Sequence, residues 1–98
     1  MAYNIKFEPK FLKQLSKLDN RIQRKILEYI DDVVAKLDDP RKLGKMLTGE
    51  MNGLYRYRVG DYRIICRIID QKITVVMVSV GHRKGVYPSF ARSSPKRR

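Results

Sequence analysis

The sequence predicts a small α+β domain: an N-terminal strand, a helix hairpin, then a three-stranded antiparallel meander. Three observations carry that expectation. The chain has 98 residues, room for one core and not two. Two stretches between Pro9 and Leu37 repeat apolar residues at helical spacing. Beyond residue 53, three β-rich runs are separated by connectors of two and three residues, too short for anything but hairpins.

Tyr3 to Phe7 alternates apolar and polar side chains and reads as the first strand. Pro9 suits the first turn of a helix, where a missing N–H does no harm, and Phe11, Leu12, Leu15 and Leu18 then recur on one face. Asp19-Asn20 breaks the pattern and can cap a second helix, with Gln23 three residues after Asn20 as in a capping box. Ile22, Ile26, Ile30, Val33 and Leu37 form its stripe, which Asp38-Asp39-Pro40 ends. These apolar residues are core and carry no chemistry. Residues 41–53, with Gly44, Gly49 and Gly53, read as a loop. Leu54 to Val59, Tyr62 to Ile69 and Ile73 to Val80 are the meander, and the last is apolar on both faces, as a strand covered on each side should be. Gly81 is expected to end it. Residues 1–90 make the domain, and 91–98 are a basic, disordered tail.

Composition narrows the function. The apolar content of 43% and six tyrosines favour a folded chain over a disordered one. One cysteine excludes an internal disulfide and a Cys-based zinc site, and one histidine excludes a two-histidine zinc site or acid–base pair. No cofactor is expected. The N-terminus lacks an apolar signal core, and no run approaches the ~20 apolar residues of a membrane span, so a cytoplasmic protein is expected, with no membrane partner. The net charge of +12 is unevenly placed: residues 1–40 carry +1, residues 41–98 carry +11. A solubility surface would spread its charge, whereas this field attracts polyanions, of which a phosphate backbone is the commonest.

Strand alternation sorts the arginines. Leu54, Arg56 and Arg58 share one face of their strand, and Tyr55, Tyr57 and Val59 the other. In the next strand Arg63, Ile65, Arg67 and Ile69 oppose Tyr62, Ile64, Cys66 and Ile68. The aromatic and aliphatic face can pack on the helices while the arginines line a phosphate-binding surface, the planar guanidinium fork donating two hydrogen bonds at once. Protection of a sheet edge would account for one or two such charges. Four, with almost no acid between them, favour an anion site.

After the last strand, Gly81-His82-Arg83-Lys84-Gly85-Val86-Tyr87 is expected to be a loop that brings an imidazole, a guanidinium and a phenol to the end of the sheet. A lone histidine is commonly structural, but cations beside this one favour its neutral, proton-accepting form. Cys66 falls on the packing face and reads as a small buried hydrophobe.

Lys45-Met46-Leu47-Thr48-Gly49, Gly53-Leu54-Tyr55-Arg56-Tyr57-Arg58-Val59-Gly60-Asp61-Tyr62-Arg63-Ile64-Ile65 and Val80-Gly81-His82-Arg83-Lys84-Gly85-Val86-Tyr87 resemble the RelE toxins of the RelE/ParE superfamily over essentially residues 1–90. The resemblance implies the toxin of a toxin–antitoxin pair, a ribosome-dependent mRNA endonuclease that acts in the A site of the small subunit. It implies silencing by a RelB-like antitoxin, with DNA met only through the antitoxin complex. Carried over by position, Arg56 and Arg58 match the basic pair that grips the mRNA and its reacting phosphate; Arg67 and Lys84, from the chain's own basic strand and loop, are expected to add RNA contacts. Arg63 and Arg83 match the arginines at the scissile phosphate, and Tyr87 the tyrosine that stacks on the mRNA. His82 stands where some relatives carry lysine and others histidine. The implied reaction is metal-free attack by the ribose 2′-hydroxyl. Several relatives have lysine where this chain has Arg56 and Arg58, and arginine does not give up its proton; this moves proton transfer toward His82 or Tyr87. Two other readings compete: a ParE-like gyrase poison, which shares the fold but does not need the set Arg56, Arg58, Arg63, Arg83 and Tyr87, and an RNA-binding module without activity, for which the basic sheet alone would suffice.

Overall fold

The computed structural model describes residues 3–42, 44–49 and 53–82. Strand β1 (Asn4–Phe7) leads into helices α1 (Pro9–Ser16) and α2 (Asn20–Asp32). After them come β2 (Lys45–Met46), β3 (Leu54–Val59), β4 (Tyr62–Ile69) and β5 (Thr74–His82). The five strands form one sheet in the order β1-β5-β4-β3-β2, antiparallel except for β1, which lies parallel to β5. The expected α+β architecture is present, with both helices on one face of the sheet.

The core lies between them. Phe11 and Leu15 of α1, Ile26 and Ile30 of α2, and Val34 pack on Tyr57, Val59, Ile64, Cys66, Val75, Met77 and Val80. These sheet residues alternate with the arginines, as the period of two requires. The most apolar strand, β5, lies inside the sheet between β1 and β4, where neighbours on both sides satisfy its backbone. Past Phe7 the chain leaves β5 for α1, and Gln14 takes over part of the vacated edge. Its Oε1 accepts from the backbone N–H of Val80 at 2.9 Å and from the Ser79 hydroxyl at 2.8 Å.

Four local expectations change. Helix α2 stops at Asp32, and Val34–Lys36 continues as a tighter 3-10 turn. Carboxylates at Asp31 and Asp32 oppose the negative end of the helix, and Val33 and Val34 are β-branched, so the last turn is weak. The cap of α2 is Asp19, which accepts from the Arg21 N–H at 3.1 Å, and Gln23 donates to the Leu18 carbonyl at 2.8 Å instead of closing a capping box. The expected loop 41–53 contains the short edge strand β2, too brief to leave a periodic signal. Finally, β5 does not end at Gly81 but runs through His82.

The two hairpins turn differently. Gly60 alone carries the positive φ (+61°) of the two-residue β3–β4 turn, the requirement of a II′ hairpin. The β4–β5 connection is a 3-10 turn over Asp70–Lys72 followed by Ile73 in the left-handed region (φ 48°, ψ 52°). That conformation is costly for a β-branched residue. It is held by hydrogen bonds from Ile73 N–H to Asp70 O (3.0 Å) and from Asn4 N–H to Ile73 O (2.8 Å). No helix among the described residues is long and apolar enough to cross a membrane.

Candidate nucleic-acid interface

The sheet face away from the helices carries the cations. Strand register places them in tiers, because residues directly opposite on neighbouring strands share a face. Arg58 stands directly across from Arg63, which in turn stands across from Gly81. One tier further along, Lys45 faces Arg56, and Arg56 faces Ile65. A third tier holds Leu54, Arg67, Val76 and Lys6. The tiers are two residues apart, about 6.8 Å along a strand.

The structure thus brings Arg56, Arg58 and Arg63 together as expected, and adds Lys45. It separates Arg67 from them. The Arg67 guanidinium lies 3.5 Å from the Glu8 carboxylate, so an acid does reach this face, and the expectation of four arginines with almost no acid between them is corrected to three. Sequence reading missed the pair because the two residues are 59 positions apart. The face is not bare of apolar groups: Ile65 is fully buried, as are the Nε atoms of Arg56 and Arg63. Long arginine stems laid along a partly apolar sheet match that burial.

Arg58 opposite Arg63 matters most. Like charges directly across a strand pair repel. An anion seated between the two guanidinium groups removes the repulsion. Gly81 completes the tier without a side chain, and a glycine within a strand is compatible with close approach of another backbone.

His82 is placed differently from the expectation. As a strand residue directly opposite Tyr62, it lies on the Tyr62 face, one position beyond Gly81. Its ring meets the Tyr62 ring edge-on, with centroids 5.5 Å apart and planes at 79°. Arg63 projects from the other face. The imidazole therefore sits at the rim of the sheet and not within the arginine tiers. Arg83, Lys84 and Tyr87, and the 91–98 tail, lie outside the described residues.

A second polar group ties the far end of the sheet. Arg41 donates to Asp70 at 2.7 Å and to the Tyr55 hydroxyl at 3.2 Å, and lies 3.5 Å from Asp39. The Tyr3 hydroxyl donates to Asp70 at 2.9 Å. The hydrogen bond from Arg41, then that from Tyr3, holds the Asp70 carboxyl below its ordinary range. Accepting at Asp70 is the main cause that raises the Tyr3 phenol. Nearby, the buried Tyr57 hydroxyl donates to the Pro40 carbonyl, and burial pushes that phenol well up. The Tyr57 ring also backs Gly44, where a Cβ would stand 3.3 Å from it. Together these contacts seat residues 40–42 and Gly44 against β3, which is what presents β2. Cys66 is buried as expected, and burial pushes its thiol up to about 12. Among the described residues, no three His, Cys, Asp or Glu side chains gather as metal ligands.

Comparison with known proteins places this geometry. Residues 5–87 match the family model described as the ParE toxin of the type II toxin–antitoxin system parDE. The chain is 33% identical over 87 residues to toxin RelG of Mycobacterium tuberculosis, covering 89% of this chain and 98% of that one. It is 30% identical over 86 residues to the mRNA interferase toxin RelE of Escherichia coli, covering 86% of each. Among solved structures, the toxin–antitoxin complex RelBE2 of M. tuberculosis contains a chain that superposes with a TM-score of 0.79 at 32% identity, over 85% of this chain and 93% of that one. With the matched family, the shared fold and the arginine-bearing meander in agreement, the chain belongs to the RelE/ParE family of type II toxin–antitoxin toxins.

Proposed function

We propose that this toxin is an endoribonuclease that cleaves mRNA in the ribosomal A site. The observation that carries the reading is the Arg58–Arg63 pair facing each other on the open face beside Gly81. Two directly opposed guanidinium-bearing residues are suited to a phosphate. The E. coli relative's name, mRNA interferase, points the same way.

In the proposed reaction the ribose 2′-oxygen bonds to the adjacent phosphorus and the bond from phosphorus to the 5′-oxygen breaks. The products are a 2′,3′-cyclic phosphate and a 5′-hydroxyl. The 2′-hydroxyl loses a proton and the leaving oxygen gains one. Arg63, with Arg58 beside it, stabilises the extra negative charge of the five-coordinate phosphorus, and these preorganised cations supply the electrostatic part of catalysis without a metal. Arg56 holds the RNA. Arg83 and Tyr87 are assigned by family resemblance, Arg83 to the same phosphate and Tyr87 to stacking on the mRNA, with Lys84 as a further RNA contact. Arg67, engaged by Glu8, contributes least. For proton transfer the candidate among the described residues is His82. Its place on the Tyr62 face means that it serves as acceptor only for RNA draped over the rim. A site with cations in place but its base at the rim gains most from a ribosome that aligns the 2′-hydroxyl beforehand.

The same face calls for a cover when the toxin is idle. Solved relatives include RelB–RelE complexes from E. coli and Pyrococcus horikoshii, and a RelB-like antitoxin is proposed here, with any DNA contact made through that complex. The deciding experiment maps 5′ ends on an mRNA incubated with the protein, with and without programmed ribosomes. Cleavage confined to codons held in the A site is expected. Equal cleavage of naked mRNA would refute ribosome dependence. No RNA cleavage together with trapped gyrase–DNA adducts would favour the ParE-like activity named in the family description.

A further inference from the structure

We infer that Lys45, carried by edge strand β2, forms with Arg56 a second phosphate subsite, so that the open face holds two consecutive phosphates of a single-stranded RNA. This rests on the reading that the face takes RNA.

The argument is one of spacing and charge. Lys45 and Arg56 are direct cross-strand partners, about 4.8 Å apart in the hydrogen-bonding direction. Arg58 and Arg63 form the same kind of pair two residues further along and one strand over, a diagonal displacement of about 6.8 Å along the strands and about 4.8 Å across them. Two cationic pairs one tier apart present a ladder to an extended chain of phosphates. At the next tier the Glu8 carboxylate lies 3.5 Å from Arg67 and offsets one of the two cations there, Arg67 and Lys6. The positive charge is therefore densest over the first two tiers and thins at the third.

Lys45 is exposed, yet its backbone is fixed. The Leu47 N–H donates to the Leu54 carbonyl at 2.8 Å. Gly44 lies against the Tyr57 ring, Tyr57 donates to Pro40, and Arg41 reaches Tyr55 and Asp70. A strand of two residues held by so many contacts places its lysine as a point charge at a set position. An ammonium holds a phosphate without dictating its orientation. That suits the neighbouring phosphate, whereas the paired guanidinium groups of Arg58 and Arg63 suit the reacting one.

The test measures binding of a fluorescein-labelled single-stranded RNA of ten nucleotides to the full chain between 50 and 300 mM KCl. Each phosphate contact in single-stranded nucleic acid contributes roughly 0.7 to the slope of log K against log salt. Lys45→Met is expected to lower the slope by about that amount, to weaken binding alike for different sequences, and to melt like the wild type. Lys45→Arg is expected to restore the slope. Arg58→Met serves as the reference for the face as a whole. If Arg58→Met lowers the slope and Lys45→Met does not, the second subsite is wrong while the RNA-binding reading stands. If neither changes it, the reading of the face itself fails. A Lys45→Met protein with the wild-type RNA slope but weakened binding to poly-glutamate would assign β2 to an acidic protein partner and overturn the proposal.

Discussion

Replacing Arg58 by methionine should make the protein more stable and less able to bind RNA. Arg58 and Arg63 are directly opposed on β3 and β4. Two unit charges about 6 Å apart in water-like surroundings repel by about 0.7 kcal/mol. At 10 mM salt, where the Debye length is about 30 Å, nearly all of that survives; at 0.15 M roughly half does, and at 1 M only about a tenth. For a domain of this size each kcal/mol moves the melting temperature by about 4–8 °C. Arg58→Met should therefore melt about 2–5 °C above the wild type in 10 mM salt and within about 1 °C of it at 1 M. Methionine keeps an unbranched apolar stem along the sheet, so the packing cost is small. Arg58→Lys keeps the charge and should show no gain. Scanning calorimetry of the three proteins at both salt concentrations decides the matter. If Arg58→Met and Arg58→Lys melt together at low salt, or if the gain persists at 1 M, the repulsion argument is wrong.

Gln14→Leu removes the acceptor that serves both Val80 N–H and Ser79 Oγ. Two stranded polar groups cost about 2–6 kcal/mol in all, so urea titration should show a clear loss, partly recovered in Gln14→Leu/Ser79→Ala; an unchanged midpoint would refute it. The Cys66 thiol is pushed up to about 12 by burial, whereas the unfolded thiol titrates near ~8.5. Between those values the folded state holds the proton that the unfolded state has lost, so stability should fall as pH rises, by at most about 1.4 kcal/mol per pH unit. Chemical denaturation between pH 8 and 9.5, below the ordinary tyrosine range, should show that slope in the wild type and a flatter one in Cys66→Ala; parallel slopes would exclude the thiol as its source. Arg63→Ala should lower single-turnover cleavage on programmed ribosomes by on the order of 10²–10³, as for loss of one preorganised donor. A wild-type rate would remove Arg63 from the chemistry.

The parts of this structure legible beforehand are those whose signal is local. Helical stripes and strand alternation are written in neighbouring residues, and so the helix side of the sheet and the arginine side separate without any three-dimensional knowledge. Arg56, Arg58 and Arg63 were legible for that reason. The pairing of Glu8 with Arg67, 59 positions away, was not, because nothing near either residue announces it. The Arg41–Asp70–Tyr3 group is of the same kind. Lys45 escaped because a two-residue strand contains no period, and its partnership with Arg56 comes from a neighbour that is already in place. His82 shows how one residue of strand length decides geometry. Ending β5 at Gly81 would leave the imidazole free to turn toward Arg63, whereas continuing the strand by one residue commits it to the Tyr62 face.

The parallel pairing of β1 with β5 has a consequence in time. Asn4 is matched with Thr74, so the first strand to leave the ribosome waits for the last of the described strands before it has anything to pair with. At roughly 5–20 residues per second, a separation of 70 residues corresponds to a delay of about 4–14 s. Through that interval the helices have no complete sheet to cover, and β3 and β4 form at most an isolated hairpin, which is marginal in water. Arg63 has no β5 beside it until Gly81 is made. The arginine-bearing strands β3 and β4 therefore gain their β5 neighbour, and with it Gly81 beside Arg63, only after the rest of the described sheet has been made.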